Sequence, residues 1–545
     1  MPHHRAGAVR RGGSVLAVML LLATGASAGE TSTPDLASSA SPESVTVDLR
    51  RLPVPSTVRP DTPPVEILRR IGPKSAATAP AQPASSPPSE AAASGRLPLG
   101  PSALRAGVQV DGFSYTGVTP ADPVSAVGRN HVVHAVNARH GALIAVHDKK
   151  GRRLAGPFLL SELFPDRSAA CATATIGDPV VAYDGLADRW VLSEAAERRP
   201  GGALCIYVSR TGDPITGGWH AYAFAMPEFP DFAKLAVWPS AYVVTTNEAA
   251  PTVYALDRAR MLQGKTAGLQ RFTVPRLSGF SFQTLTPAGL SGTTAPPVGS
   301  PAFLMRQRDT EVLGGADAPG KDLLELWALA PDFSRPARSS LQPLAPIPVP
   351  DFDSALCGLE SFACIPQKGT TTRLDPLREM VMFPLHYRRF ADHEAIVGSF
   401  QVDADGKDRA GIAWFELRRA GTGGWRLHQS GIHAPDALSR WLGAIAIDRM
   451  GGIALGFNGS GATELPSIRI TGRLPGDPLG RMRAELVQTR SLSAQTGSSR
   501  WGDYAAMTVD PADGCTFWLT TIYVAAGGNW RTRLASYRLS ACKAA

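Results

Sequence analysis

From about residue 107 the chain reads as short apolar runs separated by polar turns, without an amphipathic helix of ordinary length. One hairpin unit recurs: an apolar run, a polar turn and a second apolar run. It occupies 125–137, 180–193 and 234–247, and returns over 373–387, 444–458 and 506–523. Asp184, Asp375, Asp448 and Asp510 open the turn in four copies, where a carboxylate accepts nearby backbone N–H groups. A second hairpin follows, led by 142–147, 204–209, 252–256, 467–472 or 532–539.

Two consecutive hairpins make a four-stranded sheet, and copies spaced about 50–75 residues apart match propeller blades with generous loops. The stretch from 247 to 373 is long for one blade, so 301–309 with 322–330 is taken as a degenerate copy. The expectation is an all-β protein, a seven-bladed β-propeller of four-stranded blades. The last blade lacks an outer strand, because few residues follow 532–539. The run 108–115 is expected to pair into that blade, closing the ring and removing exposed edges. The fifth blade fits least well, since 371–433 offers five strands.

The N-terminus is different material. Arg5, Arg10 and Arg11 precede a short apolar run at 15–23, and Ala26-Ser27-Ala28 is a small-residue cleavage site. Residues 1–28 therefore read as a signal peptide, whose apolar core is too short to anchor in a bilayer. In 71–100, eight Ala, six Pro and five Ser make up most of the stretch. Such a composition buries too little apolar surface to offset its ordering entropy. Residues 29–105 are read as a Pro/Ala/Ser-rich disordered linker, with 45–70 as a possible short pro-segment, and 106–545 as the propeller domain.

Composition refines this picture. Of 545 residues, 44% are apolar and 19% charged, which is globular composition. Lys+Arg 55 less Asp+Glu 47 gives a net charge of +8. The main body carries no basic run, so the excess reads as a solvated surface and not as a nucleic-acid footprint. No membrane span is expected in the mature chain. The protein is expected outside the cytoplasm, extracellular or periplasmic.

Six cysteines agree with export: Cys171, Cys205, Cys357, Cys364, Cys515 and Cys542. None has a C-x-x-C spacing, so zinc and thioredoxin-like chemistry are poor fits. In the propeller topology Cys171 and Cys205 fall at the upper face, where leading strands begin. Cys515 and Cys542 fall at the lower face, and Cys357 and Cys364 flank one loop. Local pairing 171–205, 357–364 and 515–542 is consistent with that placement.

The same topology gathers polar residues at the upper mouth of the channel. Asp122, Asp178, Asp231 with Lys234, Arg440 with Trp441, and Arg500 with Trp501 and Asp503 precede leading strands. Loops between second and third strands are expected to add Asn247, Glu248, Arg388, Asp392, His393, Glu394 and Asn458. Such a concavity suits a glycan, a peptide, a cation or a cell-envelope component. The competing reading is structural: each Asp pins loop N–H groups, and the two Trp pack between blades. Asp392-His393-Glu394 is the densest ionisable cluster, open to acid–base chemistry or a metal. Its residues are adjacent and no second His lies at ligand spacing, so no metal and no cofactor is assigned. Catalytic residues are unassigned. No G-x-S-x-G or H-E-x-x-H occurs. Ser209-Arg-Thr-Gly-Asp213 with Trp219 is loosely similar to the Asp-box turn of sialidases, a structural device.

Several segments carry a resemblance as a set. They are 177–184 with Asp188-Arg-Trp190, 229–238 with Ala255-Leu-Asp-Arg258, Leu374-Asp375 with 392–394, and Arg500-Trp-Gly-Asp-Tyr504 followed by 509–511 and Cys515-Thr-Phe-Trp518. Over 107–542 the chain resembles an uncharacterised family of secreted bacterial seven-bladed propeller proteins. The resemblance implies the fold and export and adds no reaction. It departs at Thr520-Thr521-Ile522, where that family often reads Thr-Asn-Glu. The reading is a binding or scaffold module using the upper mouth; the alternative is a carbohydrate-active hydrolase or lyase with carboxylates at the same mouth.

Overall fold

The computed structural model describes residues 31–59, 61–67, 98–277, 283–312, 321–357, 363–378 and 380–543. The expected signal peptide and most of the Ala/Pro/Ser stretch lie outside the described residues. The described chain is all-β, with only a few single-turn helices. No helix among the described residues is long and apolar enough to cross a membrane.

Four-stranded antiparallel meanders succeed one another. The first holds 124–127, 131–138, 141–148 and 153–159; the second 175–184, 189–197, 202–209 and 219–226. The third holds 231–237, 242–247, 251–256 and 267–273; the fourth 286–290, 302–308, 323–330 and 340–343. The fifth holds 385–389, 394–403, 410–419 and 426–433; the sixth 439–447, 453–461, 464–473 and 486–490. The seventh has three strands of its own, 506–509, 516–524 and 530–539. Its fourth position is filled by β4 (Leu104–Ser114), antiparallel to 530–539 from Leu104↔Leu539 to Ser114↔Arg531.

Leading strands of successive meanders pack side by side, and 506–509 packs back against 124–127. The fourth and fifth go further. Their leading strands pair directly and in parallel through Ala288↔Leu385 and Leu290↔Tyr387. Sandwiched between neighbours, strands such as 231–237 and 439–447 are buried on both faces. That explains continuous apolar runs where a half-buried strand would alternate. A cavity of about 80 Å³ lies among leading strands of six meanders, lined by Ala126, Val181, Leu235, Gly289, Leu385 and Val509.

Turn aspartates also join meanders. Asp184 accepts from the N–H groups of Leu186 and Ala187, from Tyr242 Oη at 3.1 Å and from Arg258 at 2.6 Å. Asp510 accepts from the Ala512 N–H at 2.9 Å and from Lys149 Nζ at 2.7 Å, tying the seventh meander to the first.

Three expectations need correction. The hairpin over 373–387 does not form; only Leu385–Arg389 is a strand there, so the fifth meander has four strands. Asp375 instead accepts from the Leu377 N–H at 2.8 Å within an irregular segment. In the fourth meander, 302–308 and 323–330 are the second and third strands. Its leading strand, Thr286–Leu290, contains Pro and Gly and so carries a weak strand signal.

The tether expected over 29–105 is the third. β1 (Leu36–Ala40) pairs with 267–271 and β2 (Glu43–Val45) with 219–221, covering the outer edges of the third and second meanders. Leu49 is 1% exposed, and its N–H donates to the Ile215 carbonyl. β3 (Val65–Glu66) pairs in parallel with β5 (Val118–Thr119). Backbone pairing on an open edge needs little apolar side chain, which is why composition missed it.

The three disulfides pair as 171–205, 357–364 and 515–542, with no free cysteine among the described residues. They fit an oxidising compartment.

Candidate functional site

The upper ends of the leading strands carry a chain of carboxylates. Asp122 is fully buried with φ +47°, and Asp178 has φ +53°; the left-handed region is one that Asp tolerates. Asp122 Oδ1 accepts from the Asp503 backbone N–H at 2.7 Å, and its Oδ2 from Asn137 Nδ2 at 2.8 Å. Asn137 Oδ1 accepts from the Asp178 N–H at 2.9 Å, and Asp178 Oδ2 from the Phe232 N–H at 3.0 Å. The relay crosses from the seventh meander to the third. Asp231 Oδ2 accepts from Asn247 Nδ2 at 3.0 Å. Arg500 donates to Asp503 Oδ2 at 2.5 Å and to the Ile67 carbonyl at 3.3 Å. Tyr504 Oη donates to the Ala233 carbonyl at 2.8 Å.

Lys234 sits among these groups. Its Nζ is buried, has no hydrogen-bond partner, and lies 3.7 Å from the centre of the Phe232 ring. Burial pushes the Lys234 ammonium down to about 7, opposed by the charges of Asp231, Asp503 and Asp178. Three meanders supply those carboxylates, and their charges act on one buried ammonium. Burial and the Asp503 charge push Asp178 up to about 6, and burial drives Asp122 well above the usual carboxylate range. Asp178, Asp231 and Asp503 each retain slight exposure. This cluster thus holds a carboxyl raised to about 6 beside other carboxylates and a weakened amine.

The structure brings Asp178, Asp231, Lys234, Arg500 and Asp503 together, with Asp122 and Asn247 hydrogen-bonded to them, and leaves out the other predicted residues. Arg440 is fully buried and bound to Asp436 at 2.9 Å and Glu485 at 2.6 Å. Trp441 and Trp501 are buried against each other, ring centres 5.6 Å apart, so neither offers a stacking face. Asn247 serves Asp231, and Glu248 binds Arg271 and Thr246. Asn458 donates to the Ile522 carbonyl and accepts from Thr521, while Thr520 meets Ser125.

Asp392, His393 and Glu394 are a correction. They lie in and beside the turn between the first and second strands of the fifth meander, at the end opposite Asp178. The sequence reading was one strand out of phase there. Asp392 points to solvent and meets His393 Nδ1 at 2.8 Å, while Glu394 turns inward to Arg419 at 2.7 Å and to Tyr387. Arg388, expected at the mouth, does not join them. Arg388 donates to the Ile447 carbonyl, near Asp448.

Two features were not anticipated. A cavity of about 310 Å³ lies along the fifth meander, lined by Phe352, Phe400, Trp414, Ile432 and Met482, away from the carboxylates. Asp309, Glu311 and Asp322 bring ligand atoms within 4.8 Å of one another. Asp309 is engaged by the Ser354 N–H at 2.7 Å, and Asp322 by those of Phe352 at 2.7 Å and Thr310 at 3.0 Å. Both acids therefore pin loops.

No protein-family model and no curated protein significantly matches this sequence. Among solved structures, the chain is similar to the WD40 domain of Toxoplasma gondii coronin, at 10% identity and TM-score 0.36, over 80% of this chain and 86% of that one. It is also similar to a putative glycoside hydrolase from Parabacteroides distasonis, at 8% identity and TM-score 0.28, over 82% and 95%. A GH43 endo-arabinanase from Bacillus licheniformis aligns at 11% identity and TM-score 0.28, over 69% and 100%. Likenesses this weak carry no argument about the chemistry of this chain.

Proposed function

We propose that the meanders are the seven blades of a propeller closed by β4, and that the protein is exported and acts on a glycan at the upper mouth as a hydrolase. The ring is supported by the packing of successive leading strands and by the return of 506–509 onto 124–127. Export is supported by the three disulfides.

The observation that carries the hydrolase reading is the set Asp178, Asp231 and Asp503, delivered by three meanders, whose charges all act on the buried Lys234 amine. Glycoside hydrolysis needs one carboxyl group to protonate the leaving oxygen and a second to assist attack. Environments that push two carboxyl groups apart in acidity assign those roles. Asp178, held up to about 6, suits the acid; Asp231 or Asp503 is assigned the second carboxyl role.

The second reading is a glycan-binding module. It is favoured by the engagement of Asp122 and Asp178 with backbone N–H groups and Asn137, a use that serves structure. One experiment separates the two. The full chain is incubated with a panel of polysaccharides, and reducing ends and retention are both measured. Release of reducing ends, abolished by Asp178→Asn and by Asp231→Asn with the melting temperature retained, supports the hydrolase. Retention without release, lost in Arg500→Gln and Asp503→Asn, supports the module.

A further inference from the structure

We propose that residues 61–67 are an intramolecular cover on the upper mouth, occupying the place at Arg500 that an acceptor oxygen of the ligand takes. The inference rests on the mouth being the ligand site. The cover is attached mainly by backbone groups, and its Glu66 Oε2 also accepts from Ser498 Oγ at 3.4 Å. The Val65 N–H donates to the Gly117 carbonyl at 2.9 Å, and the Ile67 N–H to the Thr119 carbonyl at 2.9 Å. Tyr115 Oη reaches the Thr62 carbonyl at 3.2 Å, and Arg139 the Pro63 carbonyl at 3.3 Å. The strand beneath, Val118–Thr119, runs directly into Asp122. The cover ends on the site itself. Arg500 donates to the Ile67 carbonyl at 3.3 Å, and Ile67 Cδ1 lies 3.5 Å from where a Cβ on Gly177, the residue before Asp178, would stand.

Its attachment differs from that of the preceding segment. Residues 36–51 complete two sheet edges and bury Leu49, whereas Val65 is 48% exposed and β3 pairs over two residues only. A two-residue ribbon with exposed side chains is marginal, so it opens at small cost while the anchored part stays in place. A sugar hydroxyl or carboxylate oxygen accepts from a guanidinium as the Ile67 carbonyl does. Ligand and cover therefore compete for Arg500.

The test removes the cover's two amide donors without touching the site. In Val65→Pro/Ile67→Pro full-length protein, Arg500 is reacted with phenylglyoxal and quantified by peptide mass spectrometry. A second variant deletes 61–67. At an unchanged melting temperature, both variants should label Arg500 at least tenfold faster than the native chain. In the native chain, hydrogen exchange at the Val65 and Ile67 amides should be slower than in a free peptide. Equal labelling in all three proteins, or free-peptide exchange at both amides, overturns the cover. Faster labelling in variants that still engage no glycan in the polysaccharide panel leaves the cover standing and refutes the glycan reading.

Discussion

The backbone N–H of Asp503 donates to Asp122 Oδ1 at 2.7 Å, joining residues 381 positions apart across the meeting of the seventh and first meanders. Asp122 is fully buried there and also holds Asn137. Asp122→Ala removes the carboxylate acceptor of the Asp503 N–H and leaves Asn137 Nδ2 only the Pro120 carbonyl at 3.2 Å. Each buried group left unsatisfied costs about 1–3 kcal/mol. The unfolding midpoint in denaturant should fall by a corresponding amount, and Asp122→Asn should recover part of it. A midpoint unchanged in Asp122→Ala would mean this contact does not hold the seam.

Truncations test the closing strand. A chain starting at residue 98 keeps β4 and loses β1, β2 and the cover, so it should fold with a lowered thermal midpoint. A chain starting at residue 115 exposes the 530–539 edge and should lose cooperative melting. Equal midpoints for the two would show that 506–509 and 124–127 hold without β4.

Cys515–Cys542 ties the second strand of the seventh meander to the chain end, just beyond the strand that β4 covers. Replacing both cysteines by Ala should cost about 2–4 kcal/mol, and more than the same change at Cys357–Cys364, which closes a shorter loop. Chemical denaturation of the two double variants decides this.

Lys234 gives a pH signature. Its folded-state value of about 7 lies below the ordinary 10.5, so below pH 7 the fold carries the full cost of a buried ammonium. Between pH 7 and 10.5 the unfolded chain holds the proton that the fold releases, so this group adds stability as pH rises. Lys234→Met should therefore raise the melting temperature most near pH 6, with the gain shrinking toward pH 10. A pH-independent difference would contradict it.

Histidines at the same seam act at lower pH. His134 is buried against Phe113 of β4, ring centres 4.7 Å apart, and neither of its nitrogens has a partner. His147 lies 6.2 Å away, with Asp148 and Arg153 the charges acting on it. Burial holds His134 well below 6.5 and His147 at about 4. Their contribution is present above pH 6.5 and is lost as pH falls from 6.5 toward 4. His134→Leu should melt like the native chain at pH 7.5 and lose fewer degrees on acidification to pH 4.5. A parallel loss would remove His134 from the account.

The sequence by itself determined the β class, most of the hairpins, a strand near 108–115 that pairs with 530–539, and the local pairing of the six cysteines. These follow from local apolar periodicity, turn chemistry and the order of strands, which neighbouring residues carry. It also named Asp178, Asp231, Lys234, Arg500 and Asp503, because position before a leading strand places a residue at one end of its sheet. The tertiary structure decided the rest. A one-strand phase error sent Asp392, His393 and Glu394 to the opposite end, since 373–384 has strand-like composition but its described residues form no ladder with a neighbouring strand. Arg440, Trp441 and Trp501 proved buried, which depends on the neighbouring meander and not on their own segment. Residues 36–51 and 61–67 looked like linker because much of their attachment runs through backbone N–H and carbonyl groups, which every sequence possesses, and only a few side chains such as Leu49 are buried. The meeting of Asp122 with Asp503, and of Arg500 with Ile67, depends on how the chain returns on itself across more than 380 positions, and no local pattern encodes that distance.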